Sequence, residues 1–150
     1  MLKSKEELDK YLARSLFCVL SYADEDKLKS KFMLFAHSPE GELYLFQQRD
    51  QEEFAPLSET PSTVSCLIYR EEEHLEDIVH VSIQGKGQLI ADINSDEATQ
   101  ALKFIGEKSP LIQNIAEQEE RAGITLVKVE AELIEAIDWN DLNAGLLPLS

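Results

Sequence analysis

From Val79 to Ile93 the side chains alternate between apolar and polar, and this run constrains the fold more than any other part of the chain. Val79, Val81, Ile83, Gly85, Gly87, Leu89, Ala91 and Ile93 fall on one face. His80, Ser82, Gln84, Lys86, Gln88 and Asp92 fall on the other, with Ile90 the one exception. A period of two sustained this long belongs to a strand with one buried and one wetter face. Gly85 and Gly87 remove side chains from the buried face, which lets the strand bend or pack closely, as a small sheet does when it closes on itself.

The elements around this strand are short and mostly hairpin-linked. Ser4-Lys5-Glu6-Glu7 fits a capping box, and Leu8, Tyr11 and Leu12 continue at helical spacing, predicting a helix over 4–14. Leu16 to Tyr22 reads as a strand, Asp24-Glu25-Asp26 as a turn, and Lys29 to His37 as a second strand. Ser38-Pro39-Glu40-Gly41 is a strong turn signal, so Glu42 to Gln47 returns as a hairpin partner. A short helix is expected around Phe54 and Leu57, then a fourth strand from Thr63 to Tyr69. After the long strand, Ser95 caps a helix that runs towards Pro110, a weaker helical stretch covers Leu111 to Arg121, and Ile124 to Ile137 alternates as a closing strand. The order predicts a mainly β protein with flanking helices: a six-stranded antiparallel split barrel. Hairpin links between the first strands disfavour a doubly wound parallel sheet.

At 150 residues, with no repeat, low-complexity tract or linker, the chain reads as one domain spanning 1–150. The net charge of −15 repels phosphate backbones and anionic membranes, so neither nucleic acid nor a membrane is an expected partner. The first residues turn acidic where a signal peptide would be apolar, which predicts a cytoplasmic protein. Cys18 and Cys66 sit in separate apolar runs and form no C-x-x-C pair, so they read as buried thiols.

Catalytic motifs are scarce. There is no G-x-S-x-G, P-loop, G-x-G-x-x-G or H-E-x-x-H, and Gly85-Lys86-Gly87 is a bend within a strand. His37, His74 and His80 are well separated; a metal site that adds Glu76 or Asp77 lacks ligand spacing, so no metal is expected. Trp139, the only tryptophan, fits a barrel cap, a subunit interface or a stacking surface for a flat ligand.

Four stretches together resemble the pyridoxamine 5'-phosphate oxidase-like family of FMN-binding split barrels. They are the helix leading into Phe17–Tyr22, the hairpin Phe32-Met33-Leu34-Phe35 … Gly41-Glu42-Leu43-Tyr44-Leu45-Phe46, the segment Leu57 … Pro61 … Val64-Ser65, and Val81–Ile90. The resemblance covers Leu8 to Asp138 as a pattern rather than as identical residues. It implies a homodimer holding FMN and a small molecule at the subunit interface, with the flavin carrying redox chemistry. Carried onto this chain, it implies that Lys31, Phe32, Met33 and Leu34 give backbone contacts to the flavin. Gln47 and Gln48 would bond the ribityl or ring groups, and Lys29, Lys31 or Arg49 the phosphate.

The chain departs from the family at one telling place. The cation expected four residues before Leu57, where the family grips the phosphate, is replaced by Glu53. Two readings follow: a flavin-dependent oxidoreductase acting on a small molecule, or a flavin-free split-barrel homodimer that serves as a binding or scaffold module; a third, a haem-handling relative of the same fold, is disfavoured because no histidine has a convincing ligand context. The C-terminal segment 140–150 has no Lys or Arg, so it offers no basic cluster for a second phosphate.

Overall fold

The computed structural model describes residues 4–49, 51–70, 72, 78–117, 123–138 and 141–147. Helix α1 (Lys5–Arg14) starts at Ser4, whose hydroxyl accepts from the Glu7 amide at 3.2 Å, and buries Leu8, Tyr11 and Leu12. Strands β1 (Phe17–Asp24), β2 (Lys27–His37) and β3 (Glu42–Gln47) form two hairpins. A short kinked helix, Gln51–Leu57, precedes β4 (Ser62–Tyr69) and β5 (Val79–Leu89). Helices α2 (Asp96–Gly106) and α3 (Pro110–Glu117) lead to β6 (Thr125–Asp138) and β7 (Asp141–Leu147).

The sheet runs β3-β2-β1-β4-β5-β6-β7, and β6 also pairs with β3. That second pairing closes six antiparallel strands into a barrel. The first part of β6, Thr125 to Glu130, lies between β3 and β5; beyond it, from Ile134, β7 takes the edge that β3 has left. Glu42 and Glu130 stand directly opposite each other across the seam. Lys128 relieves this like-charge pair, its ammonium lying 2.9 Å from Glu42 and 3.9 Å from Glu130.

Period-two alternation sends alternate side chains to two separate cores. Leu20, Tyr22, Met33, Phe35, Leu43, Leu45, Cys66, Ile68, Ile83, Val127 and Val129 fill the barrel. Outside it, Tyr44, Phe46 and Leu126 pack under Ala98, Ala101, Leu102, Ile105 and Ile112 of α2 and α3. Strand β3 is therefore buried on both faces, which explains why it reads as an apolar run without alternation.

The long alternating strand ends earlier than its pattern suggests. Expected to reach Ile93, β5 stops at Leu89. Ile90, the exception in the alternation, is buried in the core beneath the helices, with its amide donating to Leu126 O at 2.9 Å. The glycine bend is present. The β5–β6 register shifts between Gln84 and Gly85, leaving Glu132 without an opposite number, and a Cβ on Gly85 would lie 2.1 Å from the Glu130 carbonyl oxygen. Strand β7 was not anticipated. The helical stretch read as Leu111 to Arg121 is helical from Pro110 to Glu117, and its remainder lies outside the described residues, as does Trp139.

One cation ties the layers together. Lys108, in the link between α2 and α3, donates to Ser15 O at 2.7 Å, Leu12 O at 2.9 Å and Phe35 O at 3.0 Å, and lies 4.1 Å from the centre of the Phe35 ring. All three N–H donors of the ammonium are used, and the end of α1 is pinned to β2. Burial pushes Lys108 down to about 8, with the nearby Cys18 thiol opposing the shift.

Lys108→Met should cost about 2 kcal/mol at neutral pH, measured by denaturant unfolding, because three carbonyls lose a charged donor. Between pH 8 and the ordinary lysine value of 10.5, the unfolded chain holds a proton that the folded chain has released, so wild-type stability gains with rising pH. The gap to Lys108→Met should widen across that window. Gly85→Ala should cost about 2–3 kcal/mol in the same assay, since backbone cannot retreat from the new Cβ as a side chain would.

Candidate functional site

The barrel is open where β2 outruns β3. Strand β1 pairs with Lys27 to Leu34 of β2, but β3 pairs only with Leu34 to His37. The other edge of β2 from Lys27 to Met33 thus has no strand partner among the described residues. Just past the end of the β3 ladder the Gln47 side chain folds over, its amide donating to Phe32 O at 2.9 Å. A short stretch of sheet edge with exposed peptide groups is a natural receptor for a flat polar ligand.

The short helix Gln51–Leu57 sits against this opening and is fixed from inside. Phe54 is fully buried and lies against Tyr22, ring centres 5.9 Å apart, while the Tyr22 hydroxyl donates to Glu53 O at 2.6 Å. These anchors hold the Glu53 carboxylate at the mouth. There it receives Lys31 Nζ at 3.0 Å on one oxygen and Arg49 Nη1 at 3.5 Å on the other. Arg49 is itself located by its carbonyl, which accepts from the Thr125 hydroxyl at 2.7 Å. The Lys31 hydrogen bond, aided by the charges of Lys31 and Arg49, holds the Glu53 carboxyl below its ordinary value. Gln48, Arg49, Glu52, Glu53 and Gly123 line an open polar hollow of about 430 Å³ beside the cluster.

The residues singled out from the sequence divide between two faces of β2. Lys29 and Lys31 share the inward face with Met33, but at the mouth, where the barrel no longer encloses them; Met33 itself is fully buried in the core. Phe32 and Leu34 face outward. Leu34 packs towards the helices, and Phe32, 60% exposed, stacks on Phe17 with ring centres 4.7 Å apart. Gln47, Gln48, Arg49 and Lys31 come together around the opening. Lys29 is drawn aside by Asp24, 2.9 Å away, and its hydrogen bond to that carboxylate, aided by the Asp24 charge, raises its pKa. In the sequence Asp24 reads only as a turn residue, and the role of Tyr22 has no signal beyond its place in an apolar run.

This donor set does not fit FMN at its phosphate. A phosphate monoester is close to dianionic at neutral pH and needs cations free to meet it. Each cation within reach here is already opposite a carboxylate of the chain: Lys31 and Arg49 on Glu53, and Lys29 on Asp24. A phosphate would also have to approach Glu52 and Glu53, which line the hollow.

The other chemical groups are structural. Cys18 and Cys66 are free, on the adjacent strands β1 and β4, and both are buried away from the opening; a hydrogen bond to Cys66 and burial push the Cys18 thiol well up. His37 lies 3.7 Å from Asp9, and burial lowers its pKa despite that carboxylate. His74, Glu76 and Asp77 lie outside the described residues, among which no group of three His, Cys, Asp or Glu side chains could hold a metal. Among the described residues no helix is long and apolar enough to cross a membrane.

No family model matches the sequence, and no curated protein matches it either. Solved structures do. HutZ, the haem storage protein of Vibrio cholerae, superposes with a TM-score of 0.66 at 14% identity, covering 87% of this chain and 92% of its own. A candidate pyridoxamine 5'-phosphate oxidase from Listeria innocua gives 0.65 at 16% identity, covering 91% and 98%. An FAD-binding protein from Mesorhizobium loti gives 0.62 at 14% identity, covering 89% and 94%. The chain has the split-barrel fold of the pyridoxamine 5'-phosphate oxidase-like proteins, a fold whose members here differ in what they bind.

Proposed function

We propose that this chain is a flavin-free split-barrel homodimer of the cytoplasm that acts as a binding module, and not an FMN-dependent oxidoreductase. The observation that carries the reading is the Lys31–Glu53–Arg49 cluster, in which the chain supplies its own anion to the cations a flavin phosphate would need. The sheet edge of β2 beside Phe32 and Gln47 stays available to a small molecule, held by peptide groups and a flat aromatic surface rather than by charge.

The partner we assign is a second copy of the chain, seated on the outer face of β2, β1 and β4. Phe32, Val19 and Leu67 are consecutive neighbours across these strands, with Phe17 and Tyr69 extending the patch. Phe32, Tyr69, Phe17 and Leu67 are 60%, 58%, 43% and 43% exposed. Contiguous exposed aromatic and aliphatic surface of this kind marks an interaction site. The next positions on this face are Ser21, Ser30, Ser65, Ser82 and Gln84, all uncharged. In a molecule of net charge −15, a face whose charged positions begin only at Glu135 and Lys86 is where two like copies can meet with least repulsion.

The visible spectrum of freshly purified protein should lack flavin bands, and titration with FMN should leave flavin fluorescence unquenched. Stoichiometric FMN in the native protein would overturn the reading. Analytical ultracentrifugation should give a dimer, and Phe32→Asp should shift it to monomer with an unchanged circular dichroism spectrum. A monomeric wild type would remove the second copy from the proposal.

A further inference from the structure

Two cations that share one carboxylate beside an open hollow make an anion site that is already filled from within. Lys31 reaches Glu53 from β2, and Arg49 reaches it from the segment after β3. The carboxylate is not a loose surface group that drifted there. Its main chain is held by the Tyr22 hydroxyl, the next residue is plugged into the barrel core, and the Arg49 main chain is held separately by Thr125. Three anchors, on β1, on β6 and in the short helix itself, therefore bring one negative and two positive side chains together in a set geometry. Glu53 keeps 40% of its side chain exposed and faces the hollow that Gln48, Arg49, Glu52 and Gly123 complete.

We infer that Glu53 sets the ligand class of this cleft: it excludes phosphorylated ligands while leaving their uncharged counterparts unaffected. This rests on the reading of the opening beside β2 as a ligand site. Glu53 offsets one of the two cations and Glu52, which lines the same hollow, offsets the other, so an incoming anion meets no net attraction and a carboxylate that repels it at short range. An uncharged ligand that uses the β2 edge and the Phe32 ring meets neither effect. Discrimination here comes from a built-in repulsive group rather than from a better contact.

The pair of probes that isolates this effect is FMN and riboflavin, which share ring and ribityl chain and differ only in the phosphate. Calorimetric titration of the full-length dimer should show FMN binding Glu53→Gln at least ~10-fold more tightly than wild type, a change expected once a repelling charge becomes two free cations. Riboflavin affinity should change by less than about threefold between the same proteins. Because glutamine keeps the shape of the side chain and the site is part-exposed, the variant should still unfold cooperatively, at a denaturant midpoint only slightly below that of wild type, as loss of a part-exposed ion pair implies. The double variant Lys31→Met with Glu53→Gln should lose the gain for FMN. Equal changes for both flavins, no change for FMN, or a gain that survives loss of Lys31 would each overturn the inference. Failure of Glu53→Gln to gain FMN, with a colourless wild type, removes only the role of Glu53. Native protein that carries FMN removes the functional reading as well.

Discussion

Closure depends on β6 serving two partners on one edge in succession. Its first half bonds to β3 and β5 together, and its second half keeps β5 while β7 replaces β3. A strand can change neighbours in this way only if the sheet turns sharply at the changeover, and the turn sits where β5 has Gly85 and β6 carries the unmatched Glu132. The missing Cβ at Gly85 lets the Glu130 carbonyl approach. Everything else follows from that bend: the filled interior, the outer shelf on which α2 and α3 lie, and the opening left where β2 extends past β3.

The sequence exposed the barrel through features that are local. Alternation in β5, the turn at Gly41 with its φ of 89°, and the caps at Ser4 and Ser95 each act within a few residues, so each could be read directly. Ile90 stands out in the sequence as an anomaly, and the second core beneath the helices, which it serves, is the cause. Strand β7 is hard to read in the sequence because Asp141-Leu142-Asn143-Ala144-Gly145-Leu146-Leu147, although it alternates briefly, holds residue types depleted in strands and owes its pairing to the edge that β6 presents. Lys108 gave no signal either, since its three acceptors lie 73 to 96 residues away in the chain.

The candidate site was partly legible for the same reason. The position of Glu53 stood out against the family pattern, yet the pairing that gives it meaning joins residues 22 apart and depends on how the short helix docks. Tyr22 and Phe54 determine that docking from inside the barrel. The electrostatic character of the mouth is thus a consequence of hydrophobic packing: an aromatic plug fixes the backbone, and the backbone aims the carboxylate. Among split barrels, one neighbour stores haem and another binds FAD, so the barrel dictates little about the ligand and the side chains around the opening dictate most.

The tie made by Lys108 also sets an order of events during synthesis. Residues 5–37 form α1, β1 and β2, but the ammonium that pins α1 to β2 belongs to residue 108, and the strand that closes the barrel begins only at Thr125. In the native pairing, the five strands that precede β6 make only an open sheet, with β3 and β5 at its edges and its interior side uncovered. Long-range closure of this kind is intrinsically slow, and such an open sheet presents both an apolar face and unpaired edges. The same strand that completes the fold is therefore the last barrel strand to leave the ribosome, and the native barrel cannot close before it arrives.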